Sequence, residues 1–367
     1  MPNLNSRVAV VSFDDVPAIG GQGRYVAALE QQMPAEGYQV SMISPRRGPW
    51  GDAAQIPRRT RRPPLDFSLY LRSRMGMVAE SVRPDIWHFQ GGPGGVMLRR
   101  HPPGAPLVYT SHHTYRTAHG RNLTTMPMGY LESKGYRFAE HVIAVSPSTA
   151  ASLMADSGVK KAKISVIPSG VDTAWLSPPL VDGERTTIMF AGRLIPTKGV
   201  QYFVAMFRAL AQEHPELEAE VCGEGVLYHA ALGAAEALQG RLRILGRVSD
   251  EDLRDTYRRA RVFVMPSRYE GLGLVALEAM ACGTPVVAFD VPGLRDIRDT
   301  GVTLVPRDDQ KGLRAQVDAL LLDGARWRDL SAQGMELVRT KYSWDAVRPQ
   351  IAEVYRSVLP SSSTHAE

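Results

Sequence analysis

Only two cysteines, Cys222 and Cys282, occur in 367 residues, and both lie in apolar surroundings. That scarcity excludes a disulfide-framed secreted scaffold and predicts two buried thiols in a reducing cytoplasm. No segment approaches the roughly 18 consecutive apolar residues of a membrane span. The opening residues 1–6 are short and polar, run straight into the strand-like Val8-Ala9-Val10-Val11, and carry no secretory pattern. The dinucleotide fingerprint is missing too. The glycines at 20, 21 and 23 lack its spacing, and Cys222-Gly223-Glu224-Gly225 has Tyr228 where the last glycine belongs. Charge is not strongly one-sided, at a mild net +5. The one dense basic run, Arg46, Arg47, Arg58, Arg59, Arg61 and Arg62 with Asp52 as its only acid, has no interleaved aromatic stacking residues. Nucleic-acid binding is therefore excluded as a reading. The run remains open to a solvated loop, an anionic acceptor, a donor phosphate or an anionic membrane surface.

What is present is a soluble, two-domain composition. The chain is too long for one ordinary core, with 44% hydrophobic and 22% charged residues. Short β-branched runs alternate with longer amphipathic stretches. In the first half the runs are Val8–Ser12, Gln39–Ile43, Ile86–Phe89, Leu107–Thr110, His141–Val145 and Ile164–Ile167. In the second they are Thr187–Ala191, Glu218–Cys222, Leu242–Leu245, Val262–Met265 and Pro285–Ala288. Alternation of this type predicts an α/β protein of two domains, each a parallel sheet flanked by helices. The Pro- and Gly-containing stretch from Ser177 to Glu184 reads as the linker. The expected limits are 1–178 and 179–343. Helix-spaced Val347, Ile351, Val354, Tyr355 and Val358 then place a C-terminal helix over 344–360, N-capped by Ser343, and a polar tail 361–367 is expected to be disordered. Ligands of open parallel sheets bind beyond the carboxyl ends of the strands, so the expected site is a cleft between the two sheets.

The chemistry-bearing residues follow the strand-like runs. Arg193 and Lys198 are two cations after Thr187–Gly192, and two fixed cations stabilise a departing diphosphate without a metal. Surface cations at a helix start are the plain alternative, but helix N-termini favour anions, so a phosphate between them and the helix accounts for them better. In Glu270-Gly271-Leu272-Gly273-Leu274 the glycines let backbone N–H groups approach an anion, and Glu270 offers a carboxylate to sugar hydroxyls. Glu278, on an otherwise apolar helix, suits ribose hydroxyls, or else is a buried carboxylate paired with an arginine. Gly20 and Gly21 open a helix after the first strand as a phosphate-cradling turn would. In Ser111-His112-His113-Thr114-Tyr115, His113 suits a sugar hydroxyl or a phosphate oxygen. A metal site among His88, His101, His112, His113 and His119 is discounted, because no cysteine or suitably spaced carboxylate joins them. Asp250-Glu251-Asp252 mimics a metal-holding acidic triplet, yet Ser249 before it reads as the cap of an acid-rich helix start.

These motifs resemble the retaining glycosyltransferases of family 4. The strong matches are Phe190 through Gly199, Pro266 through Glu270, and Glu278 through Val287. Ile19-Gly20-Gly21, Val145 to Ser148 and Ile167 to Asp172 are weaker, with Ser169 where the family usually has Asn. The resemblance covers nearly the whole chain. It implies the GT-B fold, two Rossmann-like domains with parallel sheets facing a central cleft, and a C-terminal helix returning to the first domain. It implies a nucleotide-sugar co-substrate of UDP or GDP type, with no metal and no other cofactor. Arg193 and Lys198 would bind the diphosphate. Glu270 and the amides of Gly271, Leu272, Gly273 and Leu274 would hold donor sugar and phosphate. Glu278 would bind the ribose, Gly20 and Gly21 would lie near the phosphate, and His113 near the donor sugar. Backbone at Arg247 and Val248 would meet the base. Tyr115, Arg116 and His119, in the loop region 115–129, are expected to contact the acceptor. The expected activity is retaining transfer to a small-molecule hydroxyl, a secondary metabolite or cell-envelope sugar. A nucleotide-sugar epimerase, a sugar phosphorylase, a membrane-associated lipid glycosyltransferase and a non-catalytic nucleotide-sugar binder stand as rivals. A cytoplasmic monomer or homodimer is expected, with no transmembrane segment and peripheral membrane contact left open.

Overall fold

Val8, Ala9, Val10 and Val11 are fully buried, and so is most of every other central strand. Strands covered on both faces need continuous apolar sequence, and a parallel sheet between helix layers supplies that setting. The computed structural model describes residues 5–15, 20–50, 56–60, 62–92, 95–98, 100–119, 126–177, 186–298 and 300–360. The chain forms two compact units. One takes the described residues up to Gly170 together with those from Val347 onward, and the other runs from Val171 to Ala346.

The first unit contains β1 (Ser6–Val11), α1 (Gly21–Gln32), β2 (Tyr38–Ile43), α2 (Pro63–Val82), β3 (Ile86–Gly91), β4 (Leu107–Ser111), α3 (Tyr115–His119), α4 (Met126–Phe138), β5 (His141–Ala144), α5 (Pro147–Ser157) and β6 (Ile164–Val166). Its parallel sheet has the order β2-β1-β3-β4-β5-β6. The second contains β7 (Thr187–Ala191), α6 (Val200–Glu213), β8 (Glu218–Cys222), α7 (Tyr228–Glu236), β9 (Leu242–Gly246), α8 (Asp250–Arg259), β10 (Val262–Met265), α9 (Leu274–Ala281), β11 (Val286–Phe289), α10 (Pro292–Arg295), β12 (Val302–Val305), α11 (Gln310–Leu322) and α12 (Gly324–Leu337). Its parallel sheet has the order β12-β11-β10-β7-β8-β9. In both sheets the winding reverses direction, between β1 and β3 in the first and between β7 and β10 in the second. At such a switch point two crossover helices leave to opposite faces and open a crevice beyond the strand ends.

The last described element is α13 (Trp344–Val358). Its start belongs to the second unit, where Val171 and Ser343 form a parallel bridge and Trp344 N–H donates to the Val171 carbonyl at 3.0 Å. Ser343 caps the helix as expected, its hydroxyl accepting from Ala346 N–H at 3.3 Å. From Val347 the helix packs on the first unit through buried Val347, Ile351, Ala352 and Tyr355. The Tyr355 hydroxyl meets His88 Nδ1 at 2.6 Å, and the Tyr38 hydroxyl donates to the Ala352 carbonyl at 3.3 Å. Pairing in sheets and helix packing thus agree with the α/β expectation at eleven of the strands, whose ends fall within about two residues of the expected ones. The exception is β12. It is a four-residue edge strand with half-exposed Thr303 and Leu304, too short and too mixed for its pattern to stand out. The expected linker core 178–184 and the tail 361–367 lie outside the described residues. Among those described, no helix is long and apolar enough to cross a membrane.

Candidate functional site

At the second sheet's switch point the loops after β7 and β10 are bound to each other. Arg268 N–H donates to the Thr197 carbonyl at 2.9 Å. Gly199, at φ +82°, passes so close to the β10 loop that a Cβ there would sit 2.0 Å from the Pro266 carbonyl oxygen, so only glycine fits. This contact sets where Lys198 emerges. Its Nζ donates to Glu270 Oε1 at 2.6 Å, with the lysine side chain 24% exposed and the glutamate 9%. Arg193, two residues beyond β7, is exposed and has no ion-pair partner among the described residues. Gly273, at φ +82°, leads into α9, whose first residue is Leu274. Sequence reasoning grouped Arg193, Lys198, Glu270 and Gly271–Leu274, and the fold brings them to one pair of strand ends. It did not foresee that Lys198 and Glu270 pair directly.

The other residues expected to meet the donor also belong to the second unit. Glu278 lies on α9 and is only 4% exposed. Arg247 and Val248 follow β9, with Arg247 exposed and Val248 half-buried. Asp250, Glu251 and Asp252 form the first turn of α8, where the Ser249 hydroxyl accepts from Asp252 N–H at 3.0 Å. That geometry is a helix cap. Both cysteines are free and buried, and burial pushes each thiol up to about 12.

In the first unit, Gly20 and Gly21 stand where α1 begins after β1. Gly20 and Gly23 N–H groups donate to Asp14 Oδ2 at 3.0 and 3.1 Å, so a protein carboxylate already occupies part of this helix start. Nothing in the sequence pattern announced that use of Asp14. The neighbouring Asp15 binds Arg47, which also reaches Glu30 at 2.8 Å. One arginine of the basic run is thus held by two carboxylates distant in sequence. Arg62 is likewise engaged, donating to the Tyr115 hydroxyl at 2.7 Å. Arg61 and Asp52 lie outside the described residues.

His113 is half-buried two residues past β4. The other histidines separate into different roles. His88 is fully buried between Tyr355 and Thr110, and burial lowers it to about 3. His112 meets Gln90 Oε1 at 3.0 Å and is lowered to about 3 by burial, then by His113 and His88. His101 lies 3.2 Å from Glu140. Of the expected acceptor contacts, Tyr115 is buried and its N–H donates to Glu132 at 2.7 Å, while Arg116 donates to the Asp156 carbonyl at 3.1 Å. The His119 side chain is not among those described, nor is Ile19. Glu132 was missed altogether. Its signal was the i, i+4 spacing of Met128, Glu132 and Tyr136, which puts a carboxylate on the buried stripe of α4.

Two switch-point α/β units, with a cation–carboxylate pair on the second, define the class of doubly wound α/β proteins, whose ligands bind beyond the strand ends. Comparison with known proteins narrows this. Residues 19–175 match the family described as Glycosyltransferase Family 4, and residues 185–323 match Glycosyl transferases group 1. The chain is 30% identical over 371 residues to a phosphatidyl-myo-inositol mannosyltransferase of Mycolicibacterium smegmatis, covering 96% of this chain and 93% of that protein. It is 28% identical over 397 residues to a glycogen synthase of Mycobacterium tuberculosis, covering 95% and 94%. Among solved structures, sucrose-phosphate synthase from Thermosynechococcus elongatus superposes with a TM-score of 0.78 at 24% identity, covering 96% of this chain and 98% of that one. The chain belongs to glycosyltransferase family 4, has the GT-B fold and is a glycosyltransferase.

Proposed function

We propose that the protein transfers a hexose-type sugar from a nucleoside-diphosphate sugar to the hydroxyl of a small-molecule acceptor, a secondary metabolite or cell-envelope sugar, with retention and without a metal. The observation that carries this reading is the Lys198–Glu270 pair at 2.6 Å on the switch point, with exposed Arg193 on the same loop after β7 as Lys198. Within the pair each group neutralises the other. When the donor binds, the lysine and arginine face the diphosphate and Glu270 accepts from sugar hydroxyls. The C1–O bond to phosphate breaks, the C1–O bond to the acceptor forms on the same face, and the acceptor proton passes to the leaving phosphate oxygen. Charge accumulates on that oxygen as the bond breaks, so fixed cations there favour the transition state over the ground state. Glu278 is assigned to the ribose, backbone at Arg247 and Val248 to the base, the amides of Gly271–Leu274 to sugar and phosphate, and Gly20, Gly21 and His113 to the donor's phosphate and sugar. Tyr115, Arg116 and His119 are assigned to the acceptor side.

The test is a thermal-shift screen of UDP-glucose, UDP-N-acetylglucosamine and GDP-mannose, since a ligand that binds only the folded state raises its melting point. It is followed by NMR of the product formed with a hydroxyl acceptor. Retained anomeric configuration in an EDTA-treated sample is expected. An inverted product, or turnover that needs a divalent ion, overturns the reading. Consumption of the donor without any acceptor, with an isomeric nucleotide sugar as product, reveals an epimerase instead.

A further inference from the structure

Glu132 lies on α4 with 5% exposure, yet three polar groups converge on it. Gly92 N–H donates to Oε1 at 3.0 Å, and Tyr115 N–H donates to Oε2 at 2.7 Å. The Tyr136 hydroxyl lies 3.1 Å from Oε1 and 2.9 Å from Ser111 Oγ. These contacts join two strand ends. Gly92 follows β3, one side of the first sheet's switch point. Ser111 ends β4, and Tyr115 opens α3. His113 sits in the short span between Ser111 and Tyr115, with both of its flanks tied to Glu132, one directly and one through Tyr136. It also packs on Gly92, where a Cβ would come within 3.1 Å of the His113 carbonyl oxygen. A buried carboxylate is costly to desolvate, and an apolar residue would pack α4 without that cost. What an apolar residue cannot do is accept from two loop N–H groups at once.

We infer that Glu132 is a positioning residue for sugar transfer: its two oxygens clasp the loops after β3 and β4 and so hold His113 in place for the donor. The inference rests on the role proposed above for His113. The clasp is sensitive to protonation. Burial raises the Glu132 carboxyl to about 7, opposed by donation from Tyr115, Tyr136 and Gly92. The titratable groups facing it are Asp156 of α5, itself 3.9 Å from Arg116, Tyr109 of β4, and Tyr136 of α4. A proton on Glu132 places a donor among donors, so the clasp loosens as pH falls through that value.

The experiment compares wild type, Glu132→Gln, His113→Ala and the double variant. Amide exchange at Gly92 and Tyr115 is read without ligand, and hydrolysis of UDP-glucose, UDP-N-acetylglucosamine and GDP-mannose is read as kcat and KM against pH. In E132Q both amides exchange faster. The value of kcat falls about tenfold or more with KM nearly unchanged, as for a misplaced group, and the acidic limb near pH 7 disappears. Adding E132Q to H113A costs little further, because one residue acts through the other. Protected amides in E132Q, full turnover despite fast exchange, or additive losses each overturn the inference. If E132Q does not fold, Glu132→Asp keeps both oxygens and must retain the acidic limb while losing part of the rate. A wild-type protein that neither hydrolyses any of the three donors nor transfers from them to a hydroxyl acceptor sinks the proposed function, and with it the catalytic half of this inference. The ligand-free exchange data keep that failure distinct from failure of the clasp itself.

Discussion

Replacing Lys198 by Ala separates stability from catalysis. In the folded protein the ammonium donates to Glu270 Oε1 at 2.6 Å, beside a carboxylate side chain only 9% exposed. Deleting the lysine leaves that carboxylate with one strong donor fewer. The cost of an unmatched, largely buried polar group is about 1–3 kcal/mol. For a unit of this size each kcal/mol lowers Tm by about 2–4 °C. The variant should therefore melt a few degrees lower and remain folded at assay temperature. Its rate should fall far more. Removing one preformed donor from a site of developing negative charge costs about 10²–10³ in kcat. Partial unfolding cannot imitate that loss in a protein that is still almost entirely native. Glu270→Gln provides the converse. With the carboxylate neutralised, Lys198 is released toward the diphosphate, so UDP alone should bind as tightly as in wild type or tighter while sugar transfer declines. Calorimetry with UDP and a coupled UDP-release assay give both numbers. A K198A enzyme within threefold of wild-type turnover refutes the cation assignment, and weaker UDP binding by E270Q refutes the competition between carboxylate and phosphate.

Three further outcomes follow from burial and capping. His88 and His112 are held near 3, so the unfolded chain binds up to two more protons than the native state below their ordinary pKa of 6.5. Glu132 acts oppositely, its raised pKa letting the native state bind one more proton between 4.5 and about 7. Stability in urea melts should consequently rise with pH by at least about 1.4 kcal/mol per unit from pH 4.5 to 6.5, the lowered His141 adding in the same direction, and more steeply below; a flat profile contradicts the burial of both rings. Cys222 and Cys282, pushed up to about 12, should resist iodoacetamide in the native enzyme at pH 8 and react only after unfolding, as mass spectrometry of the labelled protein will show. Ser249→Ala removes the cap on Asp252 and should cost about 0.5–2 kcal/mol with the transfer rate unchanged, whereas loss of activity would return the acidic first turn of α8 to the list of functional groups.

Most of the architecture was legible because parallel strands buried on both faces must be apolar without alternation, and this chain separates such runs with Gly, Pro and Ser. Central strands such as Val8–Val11 and Val262–Met265 announce themselves in that way, while edge strand β12 does not. The candidate site was legible one residue at a time. Arg193, Lys198, Glu270 and His113 each follow a strand, and strand ends are where open α/β sheets bind ligands.

Partnership was not legible, because it depends on which loops the winding makes neighbours. Lys198 and Glu270 are 72 residues apart, and they meet because β7 and β10 are adjacent at the reversal of the second sheet. Gly92 and Glu132 are 40 apart, and Tyr115 joins them because β3 and β4 are adjacent in the first. In both units a carboxylate ties two loops at the strand ends, but the two acids differ in what they face. Glu270 meets an ammonium at the end of a long, partly exposed side chain. Glu132 meets backbone N–H groups that stay where they are. A ligand that drew the ammonium away would open the first pair and leave the second closed, which would divide a binding contact from one that holds the loop. The exchange measured at Gly92 and Tyr115 should accordingly stay slow when UDP is added, and acceleration by the nucleotide would contradict that division.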